Sequence, residues 1–165
     1  MQDINYAFID GANLELSTKK DQEWKLDYRR FRVYLSDKFN VKNAFYFIGG
    51  YIPEYENLYN SLKKYGYTLI FKKTLKVNNI TKCNIDTDLV FYAMRECNRY
   101  NKAIIVTGDG DFYCLIDYLR EQNKLLKLLV PNRYRYSSLL RTFNNDIVFI
   151  SDLKEKLEYK VSRMK

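Results

Sequence analysis

Two unbroken apolar runs each end at an acidic loop, and that pairing constrains the fold more than any other feature of the chain. INYAFI leads into Asp10, and AIIVTG leads into Asp109. Runs without polar alternation suit strands covered on both faces, the habit of parallel sheets sandwiched by helices. Further apolar runs alternate with segments of helical period. The pattern predicts strands over 4–10, 43–49, 67–72, 102–107, 125–130 and 146–150. Helices are predicted over 26–39, 54–65, 86–100, 111–122, 135–142 and 151–159. Pro53 marks one helix start, Gly66 closes the 54–65 segment, and Asp109 precedes the periodic FYCLIDYLRE. This alternation predicts an α/β fold, a three-layer α/β/α domain with a central, mostly parallel sheet. The Asn- and Lys-rich stretch 72–85 loses the periodicity and reads as an irregular loop.

In an open parallel sheet the carboxyl ends of the strands meet in one crevice. Five aspartates from three segments are expected there: Asp10 in FIDGAN, Asp86 and Asp88 in NIDTDLV, and Asp109 and Asp111 in TGDGDF. Each segment also has a purely structural reading, because acids cap helices and suit the positive end of the helix dipole. Their joint occurrence favours a shared pocket, in which crowded carboxylates need cations among them. Asn13 is placed to hydrogen-bond back and fix the Asp10 carboxylate.

Composition narrows the chemistry. The 165 residues, 47% hydrophobic, fit one domain over 1–165. With no histidine, imidazole acid–base catalysis, Ser-His-Asp and Cys-His nucleophiles and His-ligated zinc are excluded. Cys83, Cys97 and Cys114 lack metal or redox spacing and read as buried free thiols. No apolar run is long enough to span a bilayer, and the N-terminus has no secretory pattern, so a cytoplasmic location without membrane contact is expected. The net charge of +8 suits a polyanionic partner. Lys82 beside the second acidic segment is expected to meet backbone phosphates. The loop of Arg133 and Arg135, interleaved with Tyr134 and Tyr136, suits the stacking of splayed bases. An acidic pit in a basic surface points to metal-assisted chemistry on a phosphate-rich polymer. A phosphatase of the haloacid-dehalogenase type would need an acid where Ala12 stands.

FIDGANL, NIDTDLVFYAM and IIVTGDGDFYCLIDYLRE, with the closing SSLLRTFNNDIVFISDLKEKLEY, resemble the NYN domain family, the LabA-like branch of the PIN-like nucleases. The resemblance covers nearly the whole chain in the family's motif order. It implies a PIN-like fold and a Mg²⁺- or Mn²⁺-dependent endoribonuclease centre. It makes Asp10, Asp86, Asp109 and Asp111 the catalytic carboxylates. Asp10, Asp86 and Asp109 would hold metal directly, and Asp88 and Asp111 directly or through water. Asn13 and Thr107 would orient these ligands. RNA is the implied partner, and homodimers are frequent among PIN-like domains. Many relatives carry a further aspartate where this chain has Tyr92. That departure keeps a second reading open, a PIN-like RNA-binding or regulatory module with weak or no turnover.

Overall fold

Strand β1 (Asn5–Asp10) is buried at all six residues and lies at the centre of the sheet. The computed structural model describes residues 3–72, 75–77, 80–82 and 86–161, with side chains over 3–72 and 86–161. Besides β1, the main sheet contains β2 (Val41–Ile48), β3 (Tyr67–Phe71), β6 (Lys102–Val106), β7 (Leu125–Val130) and β8 (Ile147–Phe149). Their order is β3-β2-β1-β6-β7-β8, and every pairing is parallel.

The period of two along each strand divides the core. Tyr6 and Phe8 of β1 join Ile105 of β6 on one face, whereas Ala7 and Ile9 join Ile104 and Val106 on the other. Helices α4 (Asp86–Arg95) and α5 (Tyr113–Glu121) cover the first face through Leu89, Ala93, Ile116 and Leu119. Helices α1 (Gly11–Glu15), α2 (Tyr28–Phe39), α3 (Glu56–Lys64) and α6 (Lys154–Leu157) cover the second through Leu14, Phe31, Leu62 and Leu157. Each large apolar side chain so buried contributes about 1.5–3 kcal/mol. The three-layer α/β/α arrangement follows, with an all-parallel central sheet. From β1 the chain builds outward through β2 and β3, then returns through α4 to β6 on the opposite side of β1. The strand order therefore reverses between β1 and β6, the position where open α/β sheets bind ligands.

Three sequence expectations are corrected. The stretch 72–85 contains an antiparallel hairpin, β4 (Leu75–Val77) with β5 (Ile80–Lys82), where an irregular loop was expected. Backbone ladder bonds there do not depend on the apolar alternation that the segment lacks. Cys114, on α5, is exposed, and Cys97, in the turn after α4, is half-buried with one side packed against the core, so neither is a buried thiol; Cys83 lies outside the described residues. The helical stretch from residue 86 gives way after Arg95 to turns over 96–99. Among the described residues, no helix is long and apolar enough to cross a membrane.

Candidate metal centre and its rim

Asp10 closes β1 and caps α1, with its Oδ1 accepting the Asn13 backbone N–H at 3.1 Å. Its other oxygen, Oδ2, accepts the Thr107 hydroxyl at 3.0 Å. Thr107 continues β6 toward β7, donating its N–H to the Leu129 carbonyl at 3.1 Å, and is fully buried. Its Oγ1 also accepts the Asp109 N–H at 3.1 Å. The Asn13 side chain fixes the neighbouring loop, its Oδ1 accepting the Gly108 N–H at 2.8 Å. The sequence expectation gave Asn13 the task of holding the carboxylate. In the structure its backbone does so while its amide ties the ends of β1 and β6 together.

Asp109 caps a short 3₁₀ turn (Gly110–Phe112), its Oδ1 accepting the Asp111 N–H at 2.9 Å. The glycine between these acids is required by space. A Cβ on Gly110 would lie 2.3 Å from Ser137 Oγ, so the 131–139 loop approaches the acidic turn too closely for a side chain there. Ser137 seals the contact by donating its N–H to the Gly108 carbonyl at 3.0 Å.

Helix α4 delivers Asp86 in its first turn to the same place, anchored on β1's face by Leu89 and Ala93. One carboxylate oxygen from each of Asp86, Asp109 and Asp111 lies within 4.8 Å of the others. Asp88 shares the first turn of α4 but falls outside this three-acid group. Asp10 is outside it too, yet within reach of its field. Burial, with the charges of Asp86 and Asp109 added, pushes the Asp10 carboxyl up from 3.8 to about 6, against the Asn13 and Thr107 hydrogen bonds. Burial, Asp109 and Asp111 raise Asp86 as well, and Lys72 opposes that rise. Carboxylates whose ionisation is suppressed by burial and by each other form a site that a dication would relieve. An all-oxygen donor set of this kind suits a hard cation such as Mg²⁺ or Mn²⁺.

The rim is mixed. Tyr134 is 88% exposed, its ring free to meet another flat group. Arg133 and Arg135 are engaged, with Arg133 Nη2 at 2.8 Å from Asp152 Oδ2 and Arg135 Nη1 at 2.8 Å from Asp21 Oδ1. Lys82 belongs to β5, and its side chain lies outside the described residues. Lys72, not singled out from the sequence, is the basic group whose charge acts on Asp86. Tyr92 lies among Phe45 and Phe47, with ring centroids 5.9 and 5.6 Å away, and the Arg95 guanidinium sits 4.2 Å from its ring centre. At the position where the family resemblance implied an acid, this chain therefore has an aromatic–cation stack.

Fold and site together define an α/β domain with a carboxylate centre at its topological switch point. The NYN domain model matches residues 6–150. The chain belongs to the NYN domain family, within the PIN-like superfamily, whose members are generally nucleases. It is similar to the low amplitude and bright protein LabA of Synechococcus elongatus, 23% identical over 161 residues that cover 92% of this chain and 86% of the relative. A crystal structure of a Vibrio parahaemolyticus protein of unknown function superposes with a TM-score of 0.79 at 19% identity, covering 96% of this chain and 100% of that one. That likeness speaks for the fold.

Proposed function

We propose that this protein is a divalent-metal-dependent endoribonuclease that hydrolyses RNA phosphodiester bonds at the aspartate centre. One observation carries the reading: Asp86, Asp109 and Asp111, from two separate elements, bring carboxylate oxygens within 4.8 Å of one another beside the buried Asp10. A Mg²⁺ or Mn²⁺ held by these carboxylates, with Asp88 acting through water, would supply a water of lowered pKa and charge stabilisation for the leaving oxygen. The chain's own contribution is positioning. Thr107 and Asn13 pin Asp10 and the Gly108–Asp109 turn, so the carboxylates meet without rearrangement. Lys82, Arg133 and Arg135 would draw the phosphate backbone to a centre whose own charge repels it, and Tyr134 would stack on an unpaired base. The pairs Arg133–Asp152 and Arg135–Asp21 are surface contacts, worth about 0–1 kcal/mol, so phosphates can displace the acids. RNA as partner and the cytoplasm as location belong to the same reading.

Single-stranded RNA incubated with Mn²⁺ tests it. Asp109→Asn and Asp86→Asn should each lose more than about a hundredfold in cleavage rate, since even residues that only orient metal ligands are worth 10–100-fold. Variants that cleave as fast as the parent would overturn the proposal. The Tyr92–Arg95 stack favours a second reading, an RNA-binding module without turnover. In that case the parent binds RNA without Mg²⁺ or Mn²⁺ and leaves it intact.

A further inference from the structure

The carboxyl edge of the sheet holds a second concavity on the other side of β1's end. A cavity of about 200 Å³ opens between α1, α3 and the end of β2, with Gly11, Ala12, Glu15, Gly49, Tyr55 and Tyr59 in its lining. It shares a wall with the acids, because Gly11 directly follows Asp10 and Asp10 pairs with Phe47, itself in the lining. Lys72 spans the two sites. Its N–H is shared by the carbonyls of Ile48 at 3.0 Å and Gly49 at 2.9 Å, both on the cavity's edge, while its charge reaches Asp86.

The mouth is built from side chains that the fold leaves uncovered. Ile52 and Tyr55, both in the lining, are 45% and 51% exposed, and the neighbouring Tyr51 is 52% exposed, although each is large and largely apolar. Beneath them Tyr59 is 4% exposed, with its ring 5.4 Å from that of Tyr51 and its hydroxyl accepting the Ile52 N–H at 3.3 Å. A buried ring under an uncovered aromatic lip is a stacking platform. The volume is below the roughly 300–1,000 Å³ of pockets for drug-sized ligands, so the occupant is one small flat group.

We propose that this cavity is a nucleobase subsite, in which an unpaired base next to the scissile phosphate leaves its stack and lodges against Tyr55 between α1 and α3. The proposal rests on the nuclease reading, which places a phosphodiester at the adjoining carboxylates with Lys72 between them. Glu15 adds a preference. Its carboxylate, an acceptor only, stands in the lining with just a loose 3.9 Å pairing to Lys19. Guanine offers adjacent N–H donors on its Watson–Crick edge, whereas uracil offers mainly carbonyl acceptors there, so the subsite selects guanine over uracil.

The test uses the full chain and fluorescently labelled single-stranded octamers, oligouridine and oligouridine with one central guanosine. Binding is followed by anisotropy with Ca²⁺, and cleavage is followed separately with Mn²⁺. The guanosine octamer should bind the parent several-fold more tightly. Tyr55→Ala, which removes a half-exposed ring, and Ala12→Leu, which fills the cavity, should each weaken it about tenfold, the scale of one lost base–aromatic stack. Glu15→Gln should erase the guanosine preference while keeping most oligouridine binding. Thermal midpoints verify that each variant is folded. Equal affinity of the parent for both octamers, or parent-like binding by both Tyr55→Ala and Ala12→Leu, overturns the subsite. If the parent cleaves neither octamer yet keeps a guanosine preference that these variants abolish, the subsite stands and the nuclease reading falls. A parent that binds neither octamer defeats both.

Discussion

The acidic centre and the aromatic cavity share the carboxyl edge of one sheet, divided only by the Asp10–Gly11 step, yet opposite forces build them. On the acidic side hydrogen bonds pin Asp10 to Asn13 N and Thr107 Oγ1, Asp109 to Asp111 N, and Asn13 to Gly108 N. The pinning holds like charges together against their repulsion. On the aromatic side Tyr46, beneath Gly11, makes long contacts, 3.3 Å to the Tyr28 hydroxyl and 3.5 Å to the Gly11 carbonyl. Packing, not hydrogen bonding, defines that wall, and the lip above it is half uncovered. One region therefore opposes folding for the sake of chemistry, and its neighbour is ordinary core left open at one end.

The largest expected effect tests the first half of that contrast. Folded Asp10 titrates near 6 instead of 3.8, so the native state binds its proton more readily than the unfolded chain. The stability contributed by that group is complete below about pH 4 and is lost as the pH rises through about 6. At pH 7 without divalent ions, ionised Asp10 opposes folding by about 3 kcal/mol, the free energy of that displacement. Asp10→Asn keeps an acceptor for the Asn13 N–H and cannot ionise. Urea titrations should find it more stable than the parent at pH 7 and close to it at pH 4. Mn²⁺ should narrow the pH 7 gap by stabilising the parent more. A variant less stable than the parent at pH 7 would mean that the acids do not burden the fold, and the two regions would lose their distinction.

Next in size is the partition itself. A Cβ on Gly11 would lie 2.5 Å from Tyr46 Cε1 and 2.6 Å from the Phe47 carbonyl oxygen, and the latter, as backbone in a central strand, cannot yield. Gly11→Ala should destabilise by about 1–3 kcal/mol, as overpacking does. The displaced β2 end should also disturb both sites, lowering Mn²⁺ affinity and guanosine-octamer affinity together. Loss of only one would show that the shared wall is not mechanically continuous.

The two regions were unequally legible in the sequence, for the same physical reasons. β1 and β7 are long apolar runs because both of their faces are covered, and the predicted spans 4–10 and 125–130 meet the observed Asn5–Asp10 and Leu125–Val130. The acids stood out because carboxylates at strand ends are conspicuous against an apolar run. Asp86, Asp109 and Asp111 do come together, with Asp10 beside them and Asp88 apart. The cavity gave no such signal. Tyr55, Tyr59 and Leu62 have the helical spacing of any core-facing stripe, and only three-dimensional exposure separates the lip from the core. Short elements escaped for want of length. α1 has five residues and its cap is the catalytic candidate itself, while the helix expected over 135–142 is a 3₁₀ segment, Ser138–Asp146, capped by Ser137. Lys72 reads as one more surface cation until α4 brings Asp86 beside it.

The smallest expected effect concerns the rim, which serves neither construction. The Arg135 side chain is 75% exposed even while its guanidinium touches Asp21 at 2.8 Å, so Arg135→Gln should change stability by less than about 1 kcal/mol. If Arg135 takes up a backbone phosphate, the slope of log affinity against log salt for oligouridine should fall by about one, equally for the guanosine octamer. A phosphate contact carries no base identity, so it weakens every sequence alike, whereas the aromatic cavity discriminates and is nearly indifferent to salt. A changed guanosine preference in Arg135→Gln would mean that the rim helps to read the base. An unchanged salt slope would leave Arg135 as a partner of Asp21 alone and shift the burden of phosphate attraction to Lys72, the cation standing between the acids and the cavity.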